Sequence, residues 1–397
     1  MTAMAIDDPD SRLRRVLTLR GAVIIGVGAM LGTGVFAVWT PAYALAGSGL
    51  LISLVLAATI AALNAASTAR LAADIPKAGG AYAYGNEVLG RGAGILAGYA
   101  FVIGKSASAG AAALTIGSYL WPEGARWLAL VSIALVLALD LRGVTRSMRA
   151  TAASVAIVLA ILGAVIIAFW VEGSTESPDA VEVTASHGFA GIIAGAGIMF
   201  VAFAGYARIT VLGEEVREPR HTIPRAVAIS FAIVMIIYAA LGITVVTARD
   251  RLGDLGDAAL DTIARAVGGP PLAWAVTIAA VLAAGAVLLS LIAGIGRTMF
   301  AMGAGGDAPR PLAAVSNTTG VPYRAEILAA GLAASVALVG GLGGALALSG
   351  ASILTYYAVA HAAAWRRWSG WGGRLVAGLG LIGCVGVAAT LVVLTIG

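Results

Sequence analysis

The stretch Gly26-Val-Gly-Ala-Met-Leu-Gly-Thr-Gly-Val-Phe36 sets four glycines in the middle of a long apolar run. Each costs a helix roughly 1 kcal/mol relative to alanine. Two readings follow. In the first, the helix unwinds here. Lipid cannot satisfy the freed amides and carbonyls, so they must line a polar cavity. Free amides at the start of the second half-helix attract an anion such as a carboxylate. In the second, Gly28 and Gly32 form a small-xxx-small face that lets another helix approach. A dinucleotide fingerprint is a poor third reading, since no strand precedes the glycines.

The composition around this stretch names the solvent. The 397 residues are 60% hydrophobic and 11% charged, with mean hydropathy +0.96. Soluble domains carry about 25% charged residues, so this chain is expected to fold in a bilayer. The net charge of +5 does not point to nucleic acid, because no basic run is interleaved with aromatics. The single cysteine, Cys384, lies in an apolar segment, so no disulfide framework is expected. The polar start, Met1 to Arg20, does not read as a cleaved signal peptide.

A span needs about 20 apolar residues. That ruler predicts eleven spans: Gly21–Ala46, Leu50–Ala72, Gly92–Leu120, Trp127–Leu141, Ala150–Val171, Gly188–Leu212, Ile223–Thr247, Leu272–Met302, Ala325–Gly341, Leu346–Trp365 and Leu375–Ile396. A cytoplasmic N-terminus puts 19 Lys and Arg inside and four outside, Arg126, Arg249, Arg251 and Arg265. The outer loop from Glu172 to His187 holds four acids and no Lys or Arg. An odd number of spans puts the C-terminus outside.

The sixth span is also glycine-rich, in Gly195-Ala-Gly-Ile-Met-Phe-Val-Ala-Phe-Ala-Gly-Tyr-Ala-Arg208. Gly205 sits among Phe200, Phe203 and Tyr206. Exposed carbonyls there could hold an ammonium group beneath the aromatics; a glycine kink packed by core aromatics is the plainer alternative. Five spans separate the two glycine-rich ones, so two halves would insert with opposite topology. That is the layout of transporters with inverted repeats, which bind solutes where one helix of each half breaks. The segments are then a cytoplasmic stretch 1–20, a first repeat 21–171, an outer loop 172–187, a second repeat 188–365 and a further span within 366–397.

Two more features carry charge. Glu214-Glu-Val-Arg-Glu-Pro-Arg-His-Thr-Ile-Pro-Arg225 is a loop suited to interfacial anchoring, with Glu214, Glu215 and Arg208 as candidate gating residues. Lys105 falls near the middle of the third span, where a charge costs at least ~2.5–3.5 kcal/mol. It would suit a proton carrier or a built-in cation, with snorkelling as the alternative. His187, His221 and His361 lie apart, so no metal cluster is expected, and no cofactor. The acids lie nearly all in loops, so no catalytic carboxylate pair is expected in the membrane, and an enzyme is not.

Gly32-Thr-Gly-Val-Phe36, Pro76-Lys-Ala-Gly-Gly-Ala-Tyr-Ala-Tyr84, Phe203-Ala-Gly-Tyr206 with Glu214-Glu-Val-Arg-Glu-Pro219 and Ile223-Pro-Arg-Ala226, and Arg297-Thr-Met-Phe-Ala-Met302 with Gly306-Asp-Ala-Pro309 and Val321-Pro322 occur in an order with a precedent. Together they resemble the amino acid–polyamine–organocation superfamily of permeases along almost the whole chain. The resemblance implies an all-α, LeuT-type five-plus-five inverted repeat with alternating access. It implies an amino acid substrate whose carboxylate meets amides near Thr33 and Gly34. The amino group would meet backbone near Met30, Phe203 and Ala204. The other candidates for this site are Ala29, Gly32, Val201, Gly205, Tyr206, Ser352 and Tyr356.

Two departures stand out. Many relatives have Glu where this chain has Ala207, and many have twelve spans. Near Gly294 and Gly296 a sodium site would find little beyond Ser290 and Thr298. Some relatives replace sodium with a lysine on the fifth span; here the lysine is Lys105 on the third. Proton coupling or exchange is therefore expected, with Lys105 the coupling residue. The apolar lining and the absence of a mid-membrane acid favour a neutral, apolar amino acid. Export by the same fold, an ion channel, and a membrane sensor that binds without transporting are the competing readings.

Overall fold

The computed structural model describes residues 17–75, 79–142, 148–172, 187–210, 216, 218–316 and 319–396. Glu214, Glu215, Lys77, Arg146, Arg217 and residues 173–186 of the outer loop lie outside them. The described chain is helical throughout, apart from a single parallel bridge between Leu17 and Val216.

The helices run in order as α1 (Leu19–Met30), α2 (Gly34–Ala37), α3 (Trp39–Ala46), α4 (Leu50–Asp74), α5 (Ala81–Tyr84), α6 (Arg91–Leu120), α7 (Ala125–Leu141), α8 (Met148–Glu172), α9 (Gly188–Phe203), α10 (Ala207–Thr210), α11 (Pro219–Leu252), α12 (Ala259–Ala304), α13 (Tyr323–Val339), α14 (Gly341–Arg367) and α15 (Trp371–Ile396). Among the described residues ten helical stretches are long and apolar enough to cross a membrane. The ninth predicted span is α13, only 17 residues long. Ile52, Val55, Trp127, Leu135, Ile167, Ile236 and Ile382 are all exposed, which leaves the flanks apolar, as lipid contact requires.

Both glycine-rich spans break. The first is helical to Met30, irregular through Leu31–Thr33, and helical again from Gly34. The sixth stops at Phe203, passes through a 3-10 turn at Ala204–Tyr206, and resumes as α10. A third break lies at Gly269 (φ 62), where Pro270 and Pro271 cannot continue the hydrogen-bond ladder of α12. The residues before it form an extra helix that the hydropathy ruler does not resolve.

α6 runs through the centre and packs on α7, α12, α13 and α14. Small residues allow the approach: Ser108 and Ser349 hydroxyls meet at 2.6 Å between α6 and α14. Trp39, Tyr206, Tyr238, Phe36, Phe200, Phe203 and Met30 are among the largest fully buried side chains, and they gather around the breaks of the first and sixth spans.

A polar clamp closes the arginine-rich end. Tyr82 donates to Asp307 at 2.7 Å, Arg91 to the same carboxylate at 2.8 Å, and Tyr99 to the Asp307 carbonyl at 3.2 Å. The Asp307 side chain is 6% exposed. The Tyr82 hydrogen bond and then the Arg91 guanidinium hold its carboxyl below the usual carboxylate range. A depressed folded value means the stabilisation is complete at neutral pH. It fades as the pH falls through the range below about 4. Asp307→Asn is expected to cost on the order of 1 kcal/mol at pH 7 and to remove this acid-sensitive component. Melting curves of the detergent-solubilised protein that coincide at pH 7 would refute the clamp.

Candidate substrate site

The two breaks touch. A Cβ added at Gly205 would lie 2.3 Å from both the carbonyl carbon and oxygen of Ala29, and 2.6 Å from the Met30 amide. A Cβ at Gly34 would lie 2.4 Å from the Ala202 Cα. Backbone thus meets backbone, which only glycine permits. Ala29, Met30, Gly34, Ala202 and Gly205 come together here, as the two glycine-rich stretches separately suggested.

The polar groups at this contact are backbone groups. Among the described residues, the amides of Gly32, Thr33 and Gly34 have no backbone carbonyl partner. The Thr33 hydroxyl is buried without a partner, and the residue is 7% exposed. Unpaired buried donors are rare and costly, so three amides and a hydroxyl in one place form a donor set suited to an anion. On the other side, the Met30 carbonyl accepts from Tyr238 of α11 at 2.6 Å, and the Ala202 carbonyl lies 3.3 Å from the same hydroxyl. Tyr238 thereby ties α11 to both broken spans. Tyr119 of α6 donates to the Phe36 carbonyl at 3.1 Å, just past the break.

Aromatic rings close the rest. Phe203 stacks on Phe231 at 5.9 Å and meets Tyr238 edge-on at 5.2 Å. Tyr206 lies 5.7 Å from Phe231 and 5.9 Å from Tyr357. Val201 packs against the main core. Tyr356 points elsewhere: its hydroxyl accepts from the Ala81 amide at 2.9 Å, and its ring meets Phe101 at 5.3 Å. Ser352 lies with it against Gly104 of α6. The breaks, with Phe203, Ala204 and Tyr206, therefore assemble in one place. Ser352 and Tyr356 sit to one side, toward α5 and α6.

Lys105 is half-buried on α6, with its ammonium 5.9 Å above the Phe101 ring. Arg208 donates to the Ser290 hydroxyl of α12. Gly32 meets Val287 of α12, whose γ-carbon would lie 2.4 Å from an added Cβ. Ser290 is three residues further on, so Arg208 is anchored one helical turn, roughly 4.5 Å of rise, from the first break.

Three features escape the sequence reading. Tyr357, and not its neighbour, faces Tyr206. Asp140 of α7 and Glu326 of α13 are buried, 8% and 3% exposed, and their side chains meet beside Arg297. His361, fully buried, shares a 2.6 Å hydrogen bond with the Asn64 side-chain oxygen, which also accepts from Cys384 at 3.3 Å. Nothing in the local sequence pairs any of these residues. An open cavity of about 410 Å³ is lined by Tyr119, Asp257, Asp261, Arg265 and Trp274, at the opposite end of α6 from the clamp.

The sequence pattern described as Amino acid permease matches residues 21–397. An uncharacterized transporter of Mycobacterium tuberculosis is 42% identical over 97% of this chain and 88% of its own length. The vacuolar cationic amino acid transporter 4 of Arabidopsis thaliana is 28% identical over 83% of this chain and 59% of its own length. The branched-chain amino acid permease BcaP of Lactococcus lactis is 27% identical over 77% and 72%.

Proposed function

Because this chain belongs to the amino acid permease family, and so is a multi-pass membrane transporter rather than an enzyme, we propose that it moves a small neutral, apolar L-amino acid across the cytoplasmic membrane by alternating access. The observation that carries this is the contact between the two broken spans. Unpaired amides at Gly32–Gly34 offer donors to a carboxylate. The carbonyls around Met30 and Ala202 offer acceptors to an ammonium. The rings of Phe203, Tyr206 and Phe231 leave the space between apolar. BcaP of Lactococcus lactis, named for branched-chain amino acids, is a relative consistent with that chemistry.

The architecture this implies is two inverted repeats, 21–171 and 188–365, with α15 outside them. The arginine-rich end, with Arg91, Arg310 and Arg367, is cytoplasmic on this reading, as is the N-terminus.

Coupling by proton or by exchange fits better than sodium. Ser290 accepts from Arg208, and Thr298 donates to the Gly294 carbonyl at 3.1 Å. Of the two hydroxyls near Gly294 and Gly296, Ser290 is taken as an acceptor by Arg208, which leaves Thr298 as the one oxygen there for a cation. Lys105 is the coupling residue on this reading. Uptake by proteoliposomes at constant pH is expected to proceed unchanged when potassium replaces sodium. Lys105→Ala is expected to flatten the dependence of uptake on pH. A strict sodium requirement overturns the coupling assignment, and an unchanged pH profile removes Lys105 from it.

A further inference from the structure

The chain turns from α14 into α15 through Trp365-Arg-Arg-Trp-Ser-Gly-Trp-Gly-Gly-Arg374, which sets three of its eight tryptophans among three arginines. α14 ends at Arg367 and α15 starts at Trp371. Trp368, between them, is buried and gathers cations around it. The guanidinium of Arg70, near the end of α4, lies 4.8 Å from its ring centre, a cation–π distance. Arg374 donates to its carbonyl at 2.9 Å. Its indole N–H donates to Asp74 at 3.1 Å, and Arg367 stands 3.5 Å from the same carboxylate. Gly373 lets the pieces close up: a Cβ there would lie 3.2 Å from the Trp368 ring and 3.4 Å from the Arg70 guanidinium.

Arg70, Arg366, Arg367 and Arg374 are all exposed. Set against the one carboxylate of Asp74, the four cations leave these five residues at +3. Directly below them the surface turns apolar. Trp371, Leu375, Leu379 and Ile382 are exposed, and their spacing of four, four and three residues places them on one face of α15. Trp365 of α14 is exposed as well, and its ring packs on α15, 2.6 Å from a Cβ added at Gly378. Tryptophans favour the depth where headgroups meet acyl chains. On the orientation read above, the arginines stand at the cytoplasmic surface and the apolar face runs from them into the bilayer. A cation cluster on top of a lipid-facing stripe matches a ligand with an anionic head and an apolar tail. Guanidinium groups bind phosphate oxygens through paired charge-assisted hydrogen bonds, and the tail covers the stripe. A free anion would use the cations alone. A choline headgroup would bring a further positive charge to them.

We infer that the corner between α14 and α15, with Arg70 of α4, is a binding site for an anionic phospholipid of the cytoplasmic leaflet. Arg70 and Arg366 hold the headgroup phosphate. Arg367 and Arg374 add their charge, braced by Asp74 and by the Trp368 carbonyl. The acyl chains lie along Trp371, Leu375 and Leu379. The bound lipid ties together the ends of α4, α14 and α15. This site stands whichever amino acid the protein moves, since none of its residues belongs to the two breaks.

Thermal shift of the detergent-solubilised protein, titrated with dioleoylphosphatidylglycerol, dioleoylphosphatidylcholine or inorganic phosphate, tests the site. A ligand that binds the folded state raises the melting temperature. Phosphatidylglycerol is expected to reach half its effect at a concentration at least about tenfold below that of phosphatidylcholine, and inorganic phosphate in the same range is expected to give no shift. Arg70→Gln with Arg366→Gln leaves the Asp74 and Trp368 bonds in place. That double variant is expected to melt near the wild type without lipid and to bring the two lipids within about threefold of each other. Arg366→Lys is expected to keep the preference. Should the double variant melt early, Arg366→Gln alone carries the comparison, with an expected loss of about threefold. Equal response of the wild type to both lipids overturns the site, and so does a folded variant that keeps the full preference. A shift with inorganic phosphate equal to that with phosphatidylglycerol would make the corner an anion site and overturn the lipid assignment.

Discussion

Gly205→Ala is expected to lower substrate uptake by roughly 100-fold while leaving the protein in the membrane. The added methyl would lie 2.3 Å from the Ala29 carbonyl and 2.6 Å from the Met30 amide. Those atoms are backbone, so no rotamer change can relieve the contact. Overpacking typically costs about 1–3 kcal/mol. Here the strain falls on the two segments whose register forms the site, so the loss appears in binding as well as stability. Ala204→Gly, one residue away, is the control, since it adds no atom to the contact. Its uptake should stay within about threefold of wild type, allowing for the helix cost of glycine. Counterflow and substrate-induced thermal shift measure both variants. Normal uptake by Gly205→Ala would mean that the breaks do not meet as described.

Tyr238→Phe is expected to reduce uptake by about 10- to 100-fold. The change removes one oxygen. It leaves the Met30 carbonyl, buried at the end of α1, without its 2.6 Å donor. An unsatisfied buried acceptor costs about 1–3 kcal/mol. The ring contact with Phe203 at 5.2 Å, and that with Trp39 at 6.0 Å, survive the change. A loss in the affinity for substrate with little change in melting temperature would place the hydroxyl at the site. A fall in melting temperature with unaltered affinity would make it a structural tie only.

The glycines of the first span show why a sequence reveals a break before it reveals the broken residues. Two readings compete there, unwinding and close packing, and each holds for different glycines. Gly28 lies inside α1, and a Cβ there would meet Val155 of α8 at 2.6 Å; it is a packing glycine. The irregular residues are Leu31 to Thr33, where Gly32 and Gly34 flank the threonine. Glycine spacing alone cannot separate the two roles, because both favour a missing side chain. The sixth span is more legible, since its 3-10 turn falls on Ala204-Gly-Tyr206 itself.

Side-chain partners far apart in the chain were less accessible. Tyr356 and Tyr357 are consecutive, and roughly 100° of helical rotation separates them. Which one faces Tyr206 depends on the roll of α14, which its neighbours set. Asn64 and His361 are 297 residues apart, and their pairing rests on α4 packing against α14. Asp140 and Glu326 stand at the very ends of the fourth and ninth predicted spans. Only the fold shows them buried together. Lys105 and Arg208, by contrast, were conspicuous as charges in apolar runs.

The central claim is that the two breaks hold the carboxylate and the amine of one amino acid. Counterflow of labelled L-leucine tests it directly, with competition by leucinamide, which lacks the carboxylate, and by 4-methylpentanoate, which lacks the amine. The account predicts that unlabelled leucine competes fully and that each truncated analogue competes at least about tenfold more weakly, the loss of one charge-assisted hydrogen-bonded group. Equal competition by either analogue would contradict it.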